Sequence, residues 1–157
     1  MNTTKATTRG KYDDLTQQVI GIFYDVYNEL GPGFVESVYR EAMRLALVQA
    51  CLTVATEVPI AVRFRDTVIG TFRADLIVNG VVLIELKTCE ALSREHESQT
   101  LNYLKATEIE VALLMNFGPV ARFKRYTMDN VRKRPVLKSV ESVQIGVKPL
   151  AQTEVTR

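Results

Sequence analysis

Cysteine and histidine are scarce in this sequence, which limits the kinds of metal site it can form. The chain has two cysteines and one histidine. Cys51 and Cys89 lie far apart and lack the Cys-x-x-Cys spacing of a zinc or redox site. We expect two reduced, buried thiols. Any metal held by this chain must therefore be bound by oxygen ligands.

Long apolar segments are also missing. No run of ~18 apolar residues is present, so no segment is expected to span a membrane. Residues 1–11 are small and polar, without the apolar stretch of a signal peptide or the Arg-rich pattern of a transit peptide. The sequence therefore predicts a cytoplasmic protein with no membrane contact.

The composition is that of one globular domain. The chain has 157 residues, of which 46% are hydrophobic and 24% are charged, enough for one ordinary core. We divide it into a polar segment (1–12), a folded domain (13–128) and a weakly patterned basic tail (129–157).

Charge is unevenly distributed along the chain. Residues 1–121 carry 11 Lys and Arg against 15 Asp and Glu, whereas residues 122–157 carry 9 against 3. The run Arg132-Lys133-Arg134 suits contacts to phosphate, or it belongs to a solvated surface or loose tail. Apolar residues in the tail are also compatible with a homodimer.

Hydrophobic periodicity predicts the elements of the domain. Helical spacing and stop signals predict two helices, and Pro59 suggests an edge strand or a strand start. Ser93 is a suitable N-cap for a third helix. The predicted helices cover 15–30, 36 to about 51 and 93 to about 106, and the strands cover 58–64, 68–78, 81–88, 109–116 and 121–126. The order α-α-β-β-β-α-β-β indicates an α/β (α+β) fold with helices flanking a central mixed sheet.

Three charged residues interrupt the apolar strands around Asn79-Gly80, a strong hairpin signal. Asp75 lies on the first strand, and Glu85 and Lys87 lie two apart on the second, so these last two project from one face. For an arbitrary Glu-x-Lys, a simple salt bridge at a strand end is the commoner explanation. Asp75 weakens that explanation, because Asp is disfavoured inside strands.

The register of the hairpin decides whether the acids meet. A two-residue turn pairs Asp75 with Ile84 and separates Asp75 from Glu85. A three-residue loop over residues 78–80 pairs Ile77 with Val81 and Asp75 with Leu83, and leaves the charged residues on one face. We predict this odd-length loop or an equivalent bulge.

Asp75 followed by Glu85-x-Lys87 resembles the core of the PD-(D/E)XK nuclease superfamily. Gly33-x-x-Glu36-x-x-Tyr39 resembles the signature of the GxxExxY family, and Gln99-x-x-x-Tyr103 is similar to the helical motif of RecB-type members. The resemblance covers roughly residues 13–126. Ala74-Asp75 replaces the Pro-Asp dipeptide but keeps the acid.

The resemblance implies a restriction-endonuclease-like core and a metal-dependent nuclease. Glu36, Asp75 and Glu85 would hold Mg²⁺ or Mn²⁺, because three carboxylates and one ammonium leave a net negative site that repels phosphate. Lys87 would orient water or stabilise the transition state. The residues expected to position substrate are Gln99, Tyr103, Tyr39 and, with less support because a helix-borne histidine is more often structural, His96.

The expected substrate is nucleic acid, DNA rather than RNA, cut by phosphodiester hydrolysis in repair or processing. Some RecB-type relatives bind an iron–sulfur cluster through four cysteines, which two cysteines cannot do. The alternative is a catalytically silent nuclease fold that binds nucleic acid or a protein partner. A third explanation, an α/β domain with a surface ion pair, requires three motifs to coincide by chance.

Overall fold

A computed structural model of the chain describes residues 10–133, and the predicted element order is confirmed there. Predictions for residues 1–9 and 134–157, including most of the basic tail, lie outside these residues. The helices are α1 (Asp13–Leu30), α2 (Glu36–Gln49) and α3 (Arg94–Lys105). The strands are β1 (Val54–Phe64), β2 (Thr67–Val78), β3 (Val82–Lys87), β4 (Val111–Phe117) and β5 (Ala121–Thr127), and a 3-10 turn follows at Asn130–Lys133.

The five strands form one mixed sheet in the order β1-β2-β3-β4-β5. β3 and β4 are parallel and are joined through α3, and every other neighbouring pair is antiparallel. This confirms the predicted α/β architecture. β1 is an edge strand, as Pro59 suggested, since a residue without an N–H is tolerated at an edge.

Helices cover both faces of the sheet. Apolar side chains of α1 and α2 form one core with alternate residues of β2, β3 and β4, while α3 forms a second core with the remaining ones. β3 and β4 are buried on both faces and read as continuous apolar runs, the usual pattern for covered parallel strands. No helix between residues 10 and 133 is long and apolar enough to cross a membrane.

The β2–β3 turn has left-handed backbone at two consecutive positions. Asn79 and Gly80 have φ values of 50° and 69°, which only residues such as Asn and Gly adopt at low cost. The Val81 N–H donates to the Val78 carbonyl at 3.0 Å. Val78 nevertheless pairs with Val82, so Val81 is an extra residue and the loop has odd length, as predicted.

The β1–β2 hairpin is buried at one end only. The last five residues of β2 are buried, whereas the first seven are exposed or half-buried. We call the outer part of this hairpin, residues 59–73, the arm. Since residues 67–73 of β2 are exposed or half-buried, the sheet carries a solvent-facing extension next to its core.

The two cysteines differ from their prediction. Cys51 is exposed and Cys89 is half-buried, and both are free thiols. Cys51 follows the end of α2 with a positive φ of 62°, so it belongs to a surface turn. The expectation of two buried cysteines was wrong because these positions follow a helix end and a strand end and not a core-facing stripe.

Candidate active site

The hairpin register brings the two acids of the β2–β3 pair together. Ile77 pairs with Leu83 and Leu76 with Ile84, so the next position along brings Asp75 opposite Glu85. The predicted partner of each β2 residue was wrong by two positions, because the third loop residue is Val81 and not Val78. The predicted odd number of loop residues was confirmed, and an odd number is what puts the two carboxylates on the same face.

Asp75 and Glu85 are held against each other by the backbone. The Asp75 N–H donates to Glu85 Oε1 at 3.2 Å, and the Leu86 N–H donates to Asp75 Oδ2 at 2.8 Å. Each carboxylate therefore accepts a hydrogen bond from the opposite strand. Only 8% of Asp75 and 3% of Glu85 is exposed. Two acids this deeply buried are costly, which is a common property of functional sites.

The environment raises the pKa of Glu85 to about 8. Burial is the main cause, and repulsion from Asp75 adds to it, while the hydrogen bond from the Asp75 N–H and the charge of Lys87 act in the opposite direction. Burial and the neighbouring Asp75 therefore favour the protonated form of Glu85 near neutral pH.

Lys87 lies at the open end of β3 and is half-buried. Its charge lowers the pKa of both Glu85 and Glu36, so it faces both acids. Within residues 10–133 no carboxylate lies within ion-pair distance of its ammonium group. The simple Glu85–Lys87 salt bridge is therefore wrong for this structure, and the amine is free to act on a bound molecule.

Glu36 enters the site from the first residue of α2. Gly33 precedes it with φ of 110°, a conformation that favours glycine and explains the glycine of the Gly33-x-x-Glu36 pattern. Burial raises the pKa of Glu36, and the charge of Asp75 raises it further. Glu36 thus belongs to the same electrostatic cluster as the hairpin acids.

Tyr39 holds the loop before α2, which leads to Glu36, by hydrogen bonds to its backbone. It is fully buried, its hydroxyl donates to the Gly31 carbonyl at 2.5 Å, and it accepts a hydrogen bond from the Phe34 N–H at 3.2 Å. Its ring stacks on Phe117 with centroids 4.3 Å apart. A buried hydroxyl with two backbone partners is not free to bind substrate. Tyr39 therefore fixes the loop before α2, and any effect on substrate is indirect.

Arg40 is the site residue that the sequence interpretation missed. Its guanidinium lies 3.1 Å from Asp75 Oδ1 and 3.5 Å from Glu57 Oε1. Glu57 has a positive φ of 48° and is unpaired opposite Asp75, although Thr56 and Val58 on either side pair with β2. The available signal was helical spacing, since Arg40 lies one turn after Glu36.

The carboxylates are suitable ligands for a hard divalent cation, but they do not all lie close enough to one another to bind the same ion. Between residues 10 and 133, no three Asp, Glu, His or Cys side chains lie close enough to hold a metal ion together. Asp75 and Glu85 supply adjacent carboxylate oxygens, the ligands that Mg²⁺ and Mn²⁺ prefer. Arg40 occupies Asp75 Oδ1, so this contact must open before that oxygen can take a cation.

The third helix places Gln99 and Tyr103 beside the acids. Gln99 Nε2 donates to the Tyr103 hydroxyl at 3.0 Å. The pKa of Tyr103 is raised to about 12 by burial and by the charges of Glu85 and Asp75. The tyrosine therefore keeps its proton at neutral pH.

His96 has a structural role in this arrangement. Its N–H donates to the Ser93 hydroxyl at 3.3 Å, and its Nδ1 accepts from the Ser93 N–H at 3.2 Å, which completes a capping box. The predicted N-cap Ser93 is confirmed.

The chain after Lys87 is clamped by β4. Asn116 accepts from the Cys89 N–H at 3.0 Å and donates to the Cys89 carbonyl at 2.8 Å. A Cβ on Gly118 would lie 2.2 Å from that same carbonyl oxygen, so only glycine fits there. The two contacts fix the open end of the strand that bears Glu85 and Lys87.

The basic run at the end of the described chain is not a phosphate site as a whole. Lys133 is buried, and its ammonium group donates to the Thr107 carbonyl at 3.0 Å and the Ile109 carbonyl at 2.5 Å. Burial also lowers its pKa to about 8. The suggestion that Lys133 contacts phosphate was wrong because the side chain caps the α3–β4 connection. Arg134 lies outside the described residues.

The crystal structure of SSO0001 is 18% identical with a TM-score of 0.47, and covers 81% of this chain and 65% of its own, so this chain spans just under two thirds of SSO0001. An alkaline exonuclease from Laribacter hongkongensis is 11% identical with a TM-score of 0.47, and covers 85% of this chain and 78% of its own. Likeness at this level says nothing about what this chain acts on. A comparison with curated proteins gives no match.

A family model gives the decisive comparison. The model is described as the PD-(D/E)XK nuclease superfamily, and it matches residues 13–128. This span contains the acidic pair, Lys87 and the Gln99–Tyr103 pair. The match covers well over half of the chain and agrees with the mixed sheet and its buried hairpin acids, so the chain belongs to the PD-(D/E)XK nuclease superfamily.

Proposed function

We propose that this protein is a metal-dependent nuclease that hydrolyses phosphodiester bonds of nucleic acid, DNA in preference to RNA. The observation that carries the proposal is the juxtaposition of two buried acids: the Asp75 N–H donates to Glu85 Oε1, and the Leu86 N–H donates to Asp75 Oδ2. Burial of two neighbouring acids is costly even with Arg40 beside Asp75. A function that brings a cation to this point accounts for their presence.

Asp75 and Glu85 are the proposed metal ligands, with Glu36 joining from α2 after a local adjustment. A bound Mg²⁺ or Mn²⁺ would supply a Lewis acid for the scissile phosphate and lower the pKa of a coordinated water. The fit rests on hard carboxylate oxygens and on the raised pKa of Glu85.

Lys87 is the proposed catalytic cation. Its ammonium group faces Glu85 and Glu36 without an ion-pair partner among residues 10–133, so it can orient the attacking water or stabilise charge on the phosphate. Tyr103 and Gln99 position the phosphate with an O–H and an amide donor. Tyr39 and His96 act indirectly, by fixing the loop before α2 and the start of α3.

The second candidate is a silent nuclease fold that binds nucleic acid or a protein without cutting. One observation favours it: Arg40 neutralises Asp75, and the described residues gather no three metal ligands. The exposure of the Arg40 side chain, 23%, argues against a permanent block, since a partly exposed ion pair is weak enough to open.

Further features of the proposal concern the whole chain. Gly33, Glu36 and Tyr39 support membership of the GxxExxY subfamily. We propose one catalytic domain over residues 13–128, preceded by a polar segment and followed by a basic tail. We also propose that the protein acts in DNA repair or processing in the cytoplasm. It would hold no iron–sulfur cluster, and a homodimer is compatible with the proposal.

The test is cleavage of labelled single- and double-stranded DNA and RNA with Mg²⁺ or Mn²⁺. The parent is compared with Asp75→Ala, Lys87→Ala and the control Lys105→Ala, which removes an exposed lysine at the end of α3. Circular dichroism verifies that each variant is folded. Metal-dependent cutting that is lost in the first two variants and kept in the third supports the enzyme.

Binding without cutting under all of these conditions supports the second candidate instead. Cutting that survives in a folded Lys87→Ala variant at the parental rate contradicts the role assigned to the lysine. Cutting in EDTA contradicts metal dependence.

A further inference from the structure

The arm carries exposed aromatic and aliphatic side chains that the core does not use. Phe64 is 60% exposed and Phe72 is 39% exposed, and Val68 and Ile69 between them are also open to solvent. Side chains of this kind are costly on a free surface when they cluster, and such clusters mark contact sites.

Phe64 and Phe72 lie on the same face of the arm. Phe72 pairs with Ile60, and Phe64 follows Ile60 by four residues along β1. The register shifts after Val62, but the extra residue, Ile69, belongs to β2, so the alternation along β1 continues to Phe64. The Phe72 ring contacts Tyr103 of α3 edge-on, with centroids 5.4 Å apart. The aromatic face of the arm therefore turns toward the side of the sheet that holds α3.

The charge of the arm is positive. Residues 59–73 contain Arg63, Arg65 and Arg73 against one acid, Asp66. None of the three arginines forms an ion pair with another residue between 10 and 133, and the buried Nε of Arg63 has no hydrogen-bond partner. The Arg65 guanidinium lies 5.1 Å from the Phe64 ring centroid, a cation–π arrangement.

A groove lies between Phe72 of the arm and α3. It has a volume of about 460 Å³ and is lined by Phe72, Glu95, His96, Ser98, Gln99 and Asn102. This volume lies within the range of small-ligand sites, roughly 300–1,000 Å³. Gln99 donates to the Tyr103 hydroxyl, which is close enough to Glu85 and Asp75 for their charges to raise its pKa. Phe72 and the Asn102 amide suit a nucleobase next to the phosphate that Gln99 is proposed to position, and Glu95 disfavours a second phosphate there.

We propose that the arm and this groove bind unpaired nucleotides, so that the substrate enters as single-stranded nucleic acid. Bases stack on Phe72 and Phe64, and Arg65, whose guanidinium lies beside the Phe64 ring, contacts phosphate. The inference rests on the proposed nuclease function and names its substrate class. Stacking requires a free base face, which a continuous duplex does not offer, and unpaired arginines next to aromatic rings are a common arrangement in proteins that bind single strands.

The experiment measures binding of the full-length protein by fluorescence anisotropy in EDTA, where metal-dependent cutting is blocked. The probes are a labelled oligothymidylate, an oligouridylate and a DNA duplex of equal length. Phe64→Ala and Phe72→Leu test stacking, with Val120→Ala, an exposed apolar residue between β4 and β5, as the control. Arg65→Gln tests charge, with Arg122→Gln on the opposite edge strand as its control.

We expect Phe64→Ala to weaken single-strand binding roughly five- to a hundredfold and to leave duplex binding unchanged. Arg65→Gln should weaken both and reduce the slope of log affinity against log salt by about 0.7 on single strands. Comparison of the oligothymidylate and oligouridylate probes distinguishes DNA binding from RNA binding. Phe72→Leu keeps an apolar contact to Tyr103, so it separates lost stacking from lost packing.

Three results overturn the inference. One is equal loss of duplex and single-strand binding in Phe64→Ala, and another is no loss in either phenylalanine variant. The third is a parent dimer that becomes a monomer in Phe64→Ala with unchanged oligonucleotide affinity, which would make the arm a contact between two copies. If the parent cuts nothing while the phenylalanine variants lose single-strand binding, the nuclease proposal fails and the proposal that the arm binds single strands is supported.

If the parent cuts and the phenylalanine variants bind single strands as the parent does, the nuclease proposal is supported and the proposal for the arm fails.

Discussion

The two halves of β2 differ in burial, although they belong to one continuous strand. The inner half, Ala74 to Val78, is buried between two helical layers and contains one acid. The outer half, Thr67 to Arg73, is exposed or half-buried and contains no acid. β1 and β2 lose their pairing at Glu57 and Asp75, so the acid lies at the second residue of the inner half, next to the point where burial begins.

This difference separates two tasks. The inner half holds a charge that is unfavourable to bury, which requires tight packing to keep it in position. The outer half offers side chains whose value depends on remaining accessible. Substitutions in the two halves should therefore alter different measurements, and the predictions below follow from that, beginning with the largest effect.

The first prediction compares two aspartates. Asp75→Asn keeps the shape of the inner acid and removes its charge, so cleavage should fall about a hundred- to a thousandfold. Asp66→Asn at the tip of the arm should change the rate by about twofold or less, since Asp66 is exposed and remote from the acids. Steady-state rates on one labelled single strand measure both. Equal effects would remove the distinction between the halves.

The second prediction concerns packing. Leu76→Ala in the inner half should lower the free energy of unfolding by about 2–5 kcal/mol, because Leu76 is fully buried in the core under α1 and α2. Ile69→Ala in the arm should change it by about 0.5 kcal/mol or less, since Ile69 is 64% exposed. Urea unfolding measures both. A large loss in Ile69→Ala would mean that the arm is part of the core.

The third prediction follows from the raised pKa of Glu85. Its pKa of about 8 in the folded protein exceeds the ordinary value of 4.5, so the folded state keeps a proton that the unfolded state releases. The free energy of unfolding in EDTA should therefore fall as pH rises from about 4.5 to about 8. Glu85→Gln, which can still accept from the Asp75 N–H, should remove this dependence and be more stable at pH 8 by on the order of a few kcal/mol.

Denaturant unfolding at several pH values tests this effect, with Glu108→Gln on the surface as the control for net charge. A parent whose stability does not change across the window would contradict the assigned pKa. Addition of Mn²⁺ should release a proton in the same window, because a metal ligand must be ionised.

The smallest expected effect is at Arg40. Arg40→Gln removes the cation that occupies Asp75 Oδ1, so Mn²⁺ affinity measured by calorimetry should rise about three- to tenfold. Arg44→Gln, one turn further along α2, is the control because Arg44 pairs with the exposed Glu41. Unchanged or weaker affinity in Arg40→Gln would show that the arginine does not compete with the ion.

Local patterns were sufficient to predict the helices and strands, whose order follows from hydrophobic periodicity. They placed a turn at Asn79-Gly80 but left two loop lengths open, and the odd-length loop is predicted only because it puts Asp75 and Glu85 on one face. Local patterns could not predict the Arg40 contact or the projection of the arm, because both depend on how distant segments pack. They also misjudged Lys133 and Cys51, whose burial depends on tertiary contacts.

Asn116 fixes the position of the chain that follows β3, although it is not one of the proposed catalytic residues. Its amide holds both backbone polar groups of Cys89, so the tip of β3 cannot separate from β4 without breaking two hydrogen bonds at once. The Cys89 amide should therefore exchange its hydrogen about as slowly as a core amide, although it lies at a strand end where fraying is usual. The position of Lys87 is thus set by a neighbour that need never touch the substrate.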